Sequence, residues 1–556
     1  MPGGLLNIIS YGNQNIILNG NPSKTFFKCV YAKFTNFGLQ NIRLDFNGQR
    51  MLKLNEDSKF TFKILRNADL LLDTYLVFNL PDIWSPIKPP LYVGDVWKPY
   101  EFQWIEDIGT NIIKQVQILI GGQIIQQFSG EYIKNSMERD LSETKKKHFY
   151  KMTGNVSELN NPSFAFNRYN KYPSSYYKPN DIVSSEPSIR GRKIYVPLPF
   201  WFGHSSKLAL PLVALQYSEV QIDIVLRPIC ELFVINDVSL TGTNFTKKKI
   251  KPNFTLNDNL MYRFLNAPLD VTLSSDTYID KTTLWDADIN LLATYGFLTD
   301  DEAKVFALNE NKYLIKDIKE DIYLNTVGTK RIKIDSSALV SSWMFYFRRS
   351  DANLRNEWSN YSNWPYNNVL PYDVLDPPIV STLILKSQLN SIGPAYNYKD
   401  PSGNLKSSYI YITPELNPDN LKNILTRLSI LFDGQYREND LDSGIYNYIT
   451  KYKMSNGESN DGLYSYNYTL NTGDQIQPSG SINLSKFKTI EIELSTIIPQ
   501  FDPLAVSKNI CDSENNIIGV ISKDNIYTHT YDLYFIEERY NVLRFIGGNA
   551  GLVYAR

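Results

Sequence analysis

The side chains able to do chemistry are few in this chain, and they are scattered. Three histidines, His148, His204 and His529, stand far apart in the sequence. A metal-holding β-barrel of the cupin type needs imidazoles clustered with a carboxylate. Each of these three is isolated, so each is expected to serve packing or the surface. Cys29, Cys230 and Cys511 occur in no paired spacing. Their number excludes a disulfide scaffold, and the thiols fit a reducing compartment. Asp286-Ala287-Asp288-Ile289-Asn290 opens like a calcium loop. Its sixth position, however, is Leu291 where glycine is required, and its twelfth is Phe297 where a bidentate Glu belongs. Neither a phosphate-binding P-loop nor a dinucleotide glycine fingerprint is present. A retaining glycosidase needs two carboxylates on one cleft, and no local pattern selects a pair from the 58 acids. The residues expected to be catalytic, cofactor-binding or metal-ligating are therefore none. The sequons at Asn155, Asn244, Asn253, Asn360, Asn467 and Asn483 read as chance matches in an asparagine-rich chain.

Charge narrows the partners. The 57 basic and 58 acidic side chains leave a formal net charge of -1. A protein that coats nucleic acid carries a basic surplus, because phosphate neutralisation drives that binding, so no direct contact with a genome is expected. Lys145-Lys146-Lys147 and Lys247-Lys248-Lys249 with Lys251 lack interleaved aromatics and read as solvated segments. Met1 to Leu6 holds no basic region followed by an apolar one, so no signal peptide is expected. No apolar run approaches the ~20 residues of a membrane span; Leu208 to Leu215 is short and is interrupted by Pro211. A soluble protein made in the cytosol is the expectation.

The elements that must position these side chains are mostly strands. Hydrophobic residues make up 43% of the chain and aromatics 13%, led by 38 Tyr and 28 Phe, which favours strands over helices. Phe60, Phe62 and Ile64 alternate with Thr61 and Lys63. Val220, Ile222 and Ile224 alternate with Gln221 and Asp223. Ile490, Ile492 and Leu494 alternate with Glu491 and Glu493. Each is the period-2 pattern of a strand with one buried face. Helices are expected only at Asp300 to Leu308, with acids in its first turn, and at Pro418 to Thr426, with Asn417 as N-cap. Many short strands punctuated by Gly, Pro and Asn predict β-sandwiches or barrels.

One device is used twice. Gln115 to Ile120 runs into Gly121-Gly122 and then Gln123-Ile124-Ile125. Arg427 to Phe432 runs into Asp433-Gly434 and then Gln435-Tyr436-Arg437. Both read as strand, two-residue type I′ turn, strand, at a separation fitting duplication of a whole domain. The 556 residues exceed what one core usually serves. The expected division is a base segment at 1–24, a first domain at 25–235, a linker at 236–257 and a second domain at 258–556. Two long tracts, Asp140 to Arg190 and Ser350 to Leu421, lack clean periodicity. The second carries Trp358, Tyr361, Trp364 and Tyr366, so ordered functional loops are expected there.

Several stretches resemble the major capsid protein family of nucleocytoplasmic large DNA viruses. Gly3-Gly4-Leu5-Leu6, Tyr11-Gly12, Leu18-Asn19-Gly20-Asn21-Pro22 and Thr25-Phe26-Phe27-Lys28 are similar to the family's opening, with Asn19 where Thr is usual. Ile120-Gly121-Gly122, Pro197 to Phe202, Leu208 to Tyr217 and Gln477 to Ser485 look like family features. Tyr540 to Phe545 with Gly547-Gly548 and Gly551-Leu552 resembles its C-terminal motif. The ordered set spans residues 3 to 552 and is least dense across 240–420. The resemblance implies an all-β fold of two consecutive eight-stranded jelly rolls with long loop insertions and few short helices. It further implies homotrimeric, pseudo-hexagonal capsomers tiling an icosahedral virion shell assembled in the host cytoplasm. The implied partners are neighbouring capsomers, minor capsid and penton proteins, an internal membrane layer at the base and a host receptor or glycan at the outer loops. No enzyme activity and no cofactor are implied. Two alternatives remain: a double jelly-roll scaffold of an immature particle, and a β-sandwich glycan-binding module.

Overall fold

The computed structural model describes residues 13, 16–46, 48, 50–168, 170–175, 186–240, 248–268, 278, 280–365, 394–399, 405–409, 421–457, 461–502, 507–512, 516–522 and 526–554. Alternation in the sequence becomes strand pairing in both halves. The first half supplies β1 (Gly38–Asp45), β2 (Ser58–Ile64), β3 (Leu70–Leu80), β4 (Ile113–Ile120), β5 (Gln123–Phe128), β6 (Arg192–Pro197), β7 (Val220–Leu226) and β8 (Asn290–Phe297). They form two antiparallel sheets, β1-β8-β3-β6 and β2-β7-β4-β5. In β2 burial alternates strictly, with Phe60, Phe62 and Ile64 inside. Ile222 of β7 sits opposite Phe62 on one side and Ile118 on the other.

The second half repeats this plan. Its strands are β9 (Asn311–Tyr323), β10 (Thr329–Lys333), β11 (Leu339–Arg349), β12 (Leu425–Phe432), β13 (Gln435–Asp442), β14 (Leu463–Asn467), β15 (Ile490–Thr496) and β16 (Tyr531–Ile546). The sheets run β9-β16-β11-β14 and β10-β15-β12-β13. Adding eight to each number of the first pair gives the second. Two four-stranded sheets in this order, closing on one core, are a jelly roll, and the chain holds two of them.

The tight turns fall where expected. Gly121 and Gly122 have φ of 59° and 82°, and Asp433 and Gly434 have 50° and 79°, the left-handed pair that a type I′ hairpin demands. Both turns join the fourth and fifth strands of their roll. The resemblance between rolls is closest at this end. The second and third strands are joined by 65–69 in one roll and 334–338 in the other, and the sixth and seventh by 198–219 and 468–489. Each pair is equal in length. The connections at the opposite end share no such match.

Several expectations need correction. β8 was expected in the second domain, yet it pairs between β1 and β3, and its Leu291, Ala293 and Tyr295 lie in the first core. Sheet closure required a last strand that local pattern could not assign. The segment expected as a linker at 236–257 is thus internal to the first roll, with Ile235 and Asn236 bridged to Ile250 and Lys249. Thr25–Lys28, expected as a strand, enters no ladder, and the first roll begins at Gly38. The helix expected at Pro418 to Thr426 is contradicted where it is described: Leu425 and Thr426 open β12, because pairing with β15 outweighs the N-cap pattern. Asp300–Leu308 does form a helix, with Asp300, Asp301 and Glu302 in its first turn.

The tract from Asp140 is not a plain loop, since two helices stand at its start, α1 (Gly130–Asp140) and α2 (Glu143–Thr153). Most of 1–24, 176–185 of the first tract, and 366–393, 400–404 and 410–420 of the second lie outside the described residues, as do Asn244 and Lys247. No described helix is long and apolar enough to cross a membrane.

Candidate functional site at the junction of the two rolls

The histidines do not converge. His148 is exposed on α2, His204 follows a short helical turn, and His529 precedes β16, with its ring nitrogens bonded to Thr528 Oγ1 and to Asn363 Oδ1, which accepts. Among the described residues no group of three His, Cys, Asp or Glu is placed to hold a metal. Asp288, from the calcium-like stretch, is engaged by the Arg43 and Arg50 guanidiniums. Cys29 and Cys511 are exposed and Cys230 is buried. What the fold builds is a junction.

β11 is buried on both faces. Trp343, Phe345 and Phe347 point into the second core, while Met344 and Tyr346 join the cluster of the first roll. β16 does the same, with Leu533 and Phe535 on one side and Ile536 on the other. The sheet β9-β16-β11-β14 therefore closes its own roll and also serves as the docking wall for the first. α1 lies against that wall. Ser129 caps it by accepting from the Tyr132 amide at 3.1 Å, satisfying one of the free N–H groups of the first turn. Gly130 allows its close approach, since a Cβ there would lie 1.9 Å from the Thr110 carbonyl oxygen.

Charges fix the contact. Glu538 of β16 is fully buried. It accepts from Arg139 Nη2 at 2.9 Å, Lys316 Nζ at 3.2 Å, Ser342 Oγ at 2.7 Å and Tyr132 OH at 3.1 Å. Burial alone would raise this carboxyl. The two cations and the Ser342 hydroxyl outweigh burial and hold it well below the usual carboxylate range. Arg139 also grips Asp140 at 2.8 Å. At the other end of α1, Glu131 accepts from Arg227 of the first roll and Arg348 of the second, each at 3.0 Å. The Arg227 guanidinium lies 4.1 Å from the centroid of the Trp358 ring. Between them Lys134 meets Asp107 at 3.0 Å, and Asp107 also accepts from Ser359 Oγ at 2.7 Å.

The segment after β11 folds back over the first roll. Asn356 donates to the carbonyls of Cys230 and Phe233, each at 2.8 Å, and Tyr361 OH donates to Asn135 at 3.0 Å. Buried pairs like these add little over apolar packing in net stability. Their directed bonds tie α1 and the segment after β11 to both rolls. Sequence reasoning missed this site because its partners lie hundreds of residues apart. The local signal that existed was the Ser129 cap, with Glu131 in the first turn and Arg139 in the last.

Two jelly rolls of one strand order, locked rigidly in a single chain, define a double jelly-roll structural protein. The same fold occurs in the PBCV-1 virus capsid (TM-score 0.57, 19% identity, 96% of this chain and 100% of that one). It occurs also in the Faustovirus major capsid protein (TM-score 0.58, 12% identity, 94% of this chain and 93% of that one). Residues 25–261 match the family model described as major capsid protein N-terminus, and 302–551 match that of the large eukaryotic DNA virus major capsid protein. The major capsid protein of Phaeocystis pouchetii virus is 25% identical over 595 residues, spanning 100% of both chains. The chain belongs to the major capsid protein family of large eukaryotic DNA viruses. It is a virion component that forms the capsid by self-association, in a structural family and not an enzyme family.

Proposed function

We propose that three copies of this chain form a ring-shaped capsomer with a nearly hexagonal outline, and that such capsomers tile an icosahedral shell assembled in the host cytoplasm. The observation carrying this reading is the repeated strand order held in one rigid chain. Three such chains present six like wedges around an axis, a shape that tiles a surface with few gaps. A threefold ring requires head-to-tail contacts that close. Light scattering on the purified chain is expected to give about three times 64.0 kDa; a monomer at high concentration overturns the reading.

The two ends of the rolls take different tasks in this reading. The end with matched connections forms the base, together with residues 1–24, facing minor capsid and penton proteins and an internal membrane layer. The long connections 140–190 and 350–421 form the outward towers, where a host receptor or glycan would be met. Limited proteolysis of intact particles is expected to cut within those two tracts and spare 1–24. First cuts in 1–24, or cuts confined to 236–257, count against this orientation.

A further inference from the structure

The junction inside the chain has a second, unfilled counterpart. Within the chain, β5 and the helix that follows it lie against β9 and the wall beside it. Gln126 Nε2 donates to the Lys316 carbonyl at 2.8 Å, and Ser129 donates to Glu320 through its amide at 3.1 Å and its hydroxyl at 2.9 Å. In the second roll β13 holds the place of β5, as the last strand of its sheet. It too is followed at once by helix, Ile445–Ile449 continuing into Thr450–Met454. In the first roll β1 holds the place of β9, as the first strand of its sheet.

Among the described residues these counterparts are bare. β13 is exposed at Gln435, Tyr436, Arg437, Asn439, Asp440 and Asp442, and β1 is exposed from Gly38 to Asn41. On the helix Tyr448, Ile449 and Tyr452 face solvent, Tyr452 at 89% exposure. Immediately before β1, the unpaired arm 25–37 exposes Phe26, Phe27, Val30, Tyr31, Phe34 and Phe37, with Phe27 at 98%. An edge strand beside bare aromatics is a template for another chain.

We propose that a second copy of this chain fills both sites: β13 and its following helix in one copy cover β1 and the arm 25–37 of the next. The contact between copies thereby repeats the contact between rolls. This rests on the trimer reading above and assigns the surfaces that meet within it. Area supports a protein partner, because the six apolar arm side chains expose on the order of 1,000 Å², more than the ~800 Å² each side gives to a stable interface. Charge supports a copy of this chain. Lys24, Lys28 and Lys33 carry the arm with no acid before Asp45, while β13 sets Glu438, Asp440 and Asp442 against Arg437, with Arg427 of β12 pairing Asp440 at 2.7 Å. Opposite charge of this kind sets register and orientation. The two surfaces differ, so the contact is head-to-tail, the kind a closed ring of copies requires.

The test uses the full chain with Cys29→Ser and Cys511→Ser. Gln40→Cys in β1 and Tyr436→Cys in β13 are introduced together, and a short bismaleimide is added. A ladder of two-chain and three-chain species on a denaturing gel is expected from the double variant and from neither single one. Separately, Ile449→Glu with Tyr452→Glu is expected to turn the trimer into a monomer of unchanged far-UV spectrum, raising the dissociation concentration at least tenfold. A trimer that survives those substitutions and gives no ladder overturns the surface assignment and leaves the ring standing. A parent chain that is itself monomeric overturns both.

Discussion

Glu538→Ala is expected to cost about 3–5 kcal/mol of stability, the usual toll when one member of a buried ionic cluster is removed. The loss is large because two cations depend on this carboxylate. Among the described residues Arg139 then keeps Asp140 and Ser342, and Lys316 keeps the Thr472 carbonyl at 2.9 Å. The same group sets an acid limit. Its carboxyl is depressed in the folded chain, so its contribution is fully present above the unfolded value of ~4.3 and drains away as pH falls toward the folded value. Denaturant titrations from pH 7 to pH 3 are expected to show the parent losing stability below about pH 4.3, with this component missing in Glu538→Gln. A loss under ~1 kcal/mol at pH 7 for Glu538→Ala would mean the junction does not depend on the cluster.

Trp343→Ala is expected to cost about 3–5 kcal/mol, in the range of large core truncations. Trp343 is fully buried in the second roll, with ring centroids of Tyr468 and Phe535 each at 5.3 Å. Its indole N–H donates to Glu537 Oε2 at 2.9 Å, so truncation opens a void and also strips a buried carboxyl of a donor. Burial already pushes Glu537 up from its ordinary value, and losing the donor pushes it further. Trp343→Phe keeps most of the volume and loses the donor, and its loss should be clearly smaller. Equal losses for the two variants, measured by chemical unfolding, would assign the whole effect to the hydrogen bond and none to packing.

The strands legible in the sequence were those with one buried face. β2 and β15 alternate as their burial does, β7 does so except at Asp223, which is buried as well, and both fourth-to-fifth strand turns announce themselves through residues that tolerate positive φ. β11 was less legible because it is buried on both faces, so its run from Val340 to Arg348 carries no alternation of exposure. α1 escaped for a related reason. Its buried residues include Lys134, Asn135, Glu138 and Arg139, because it packs on a charged wall, and no apolar stripe marks it. The place of β8 in the first roll was hidden by sequence distance, since more than 60 residues separate it from β7. The junction was invisible in principle from local pattern: Arg139 and Glu538 are 399 residues apart, and only closure of both rolls brings them together.

A wall shared by two cores leaves no hinge. With Met344 and Tyr346 of the second roll's wall packed into the cluster of the first roll, any bend between the rolls would part that buried contact. The subunit must therefore behave as a stiff brick. Whatever bowing the capsid asks of it has to be taken up in the seams between bricks, where packing can slip without exposing a core.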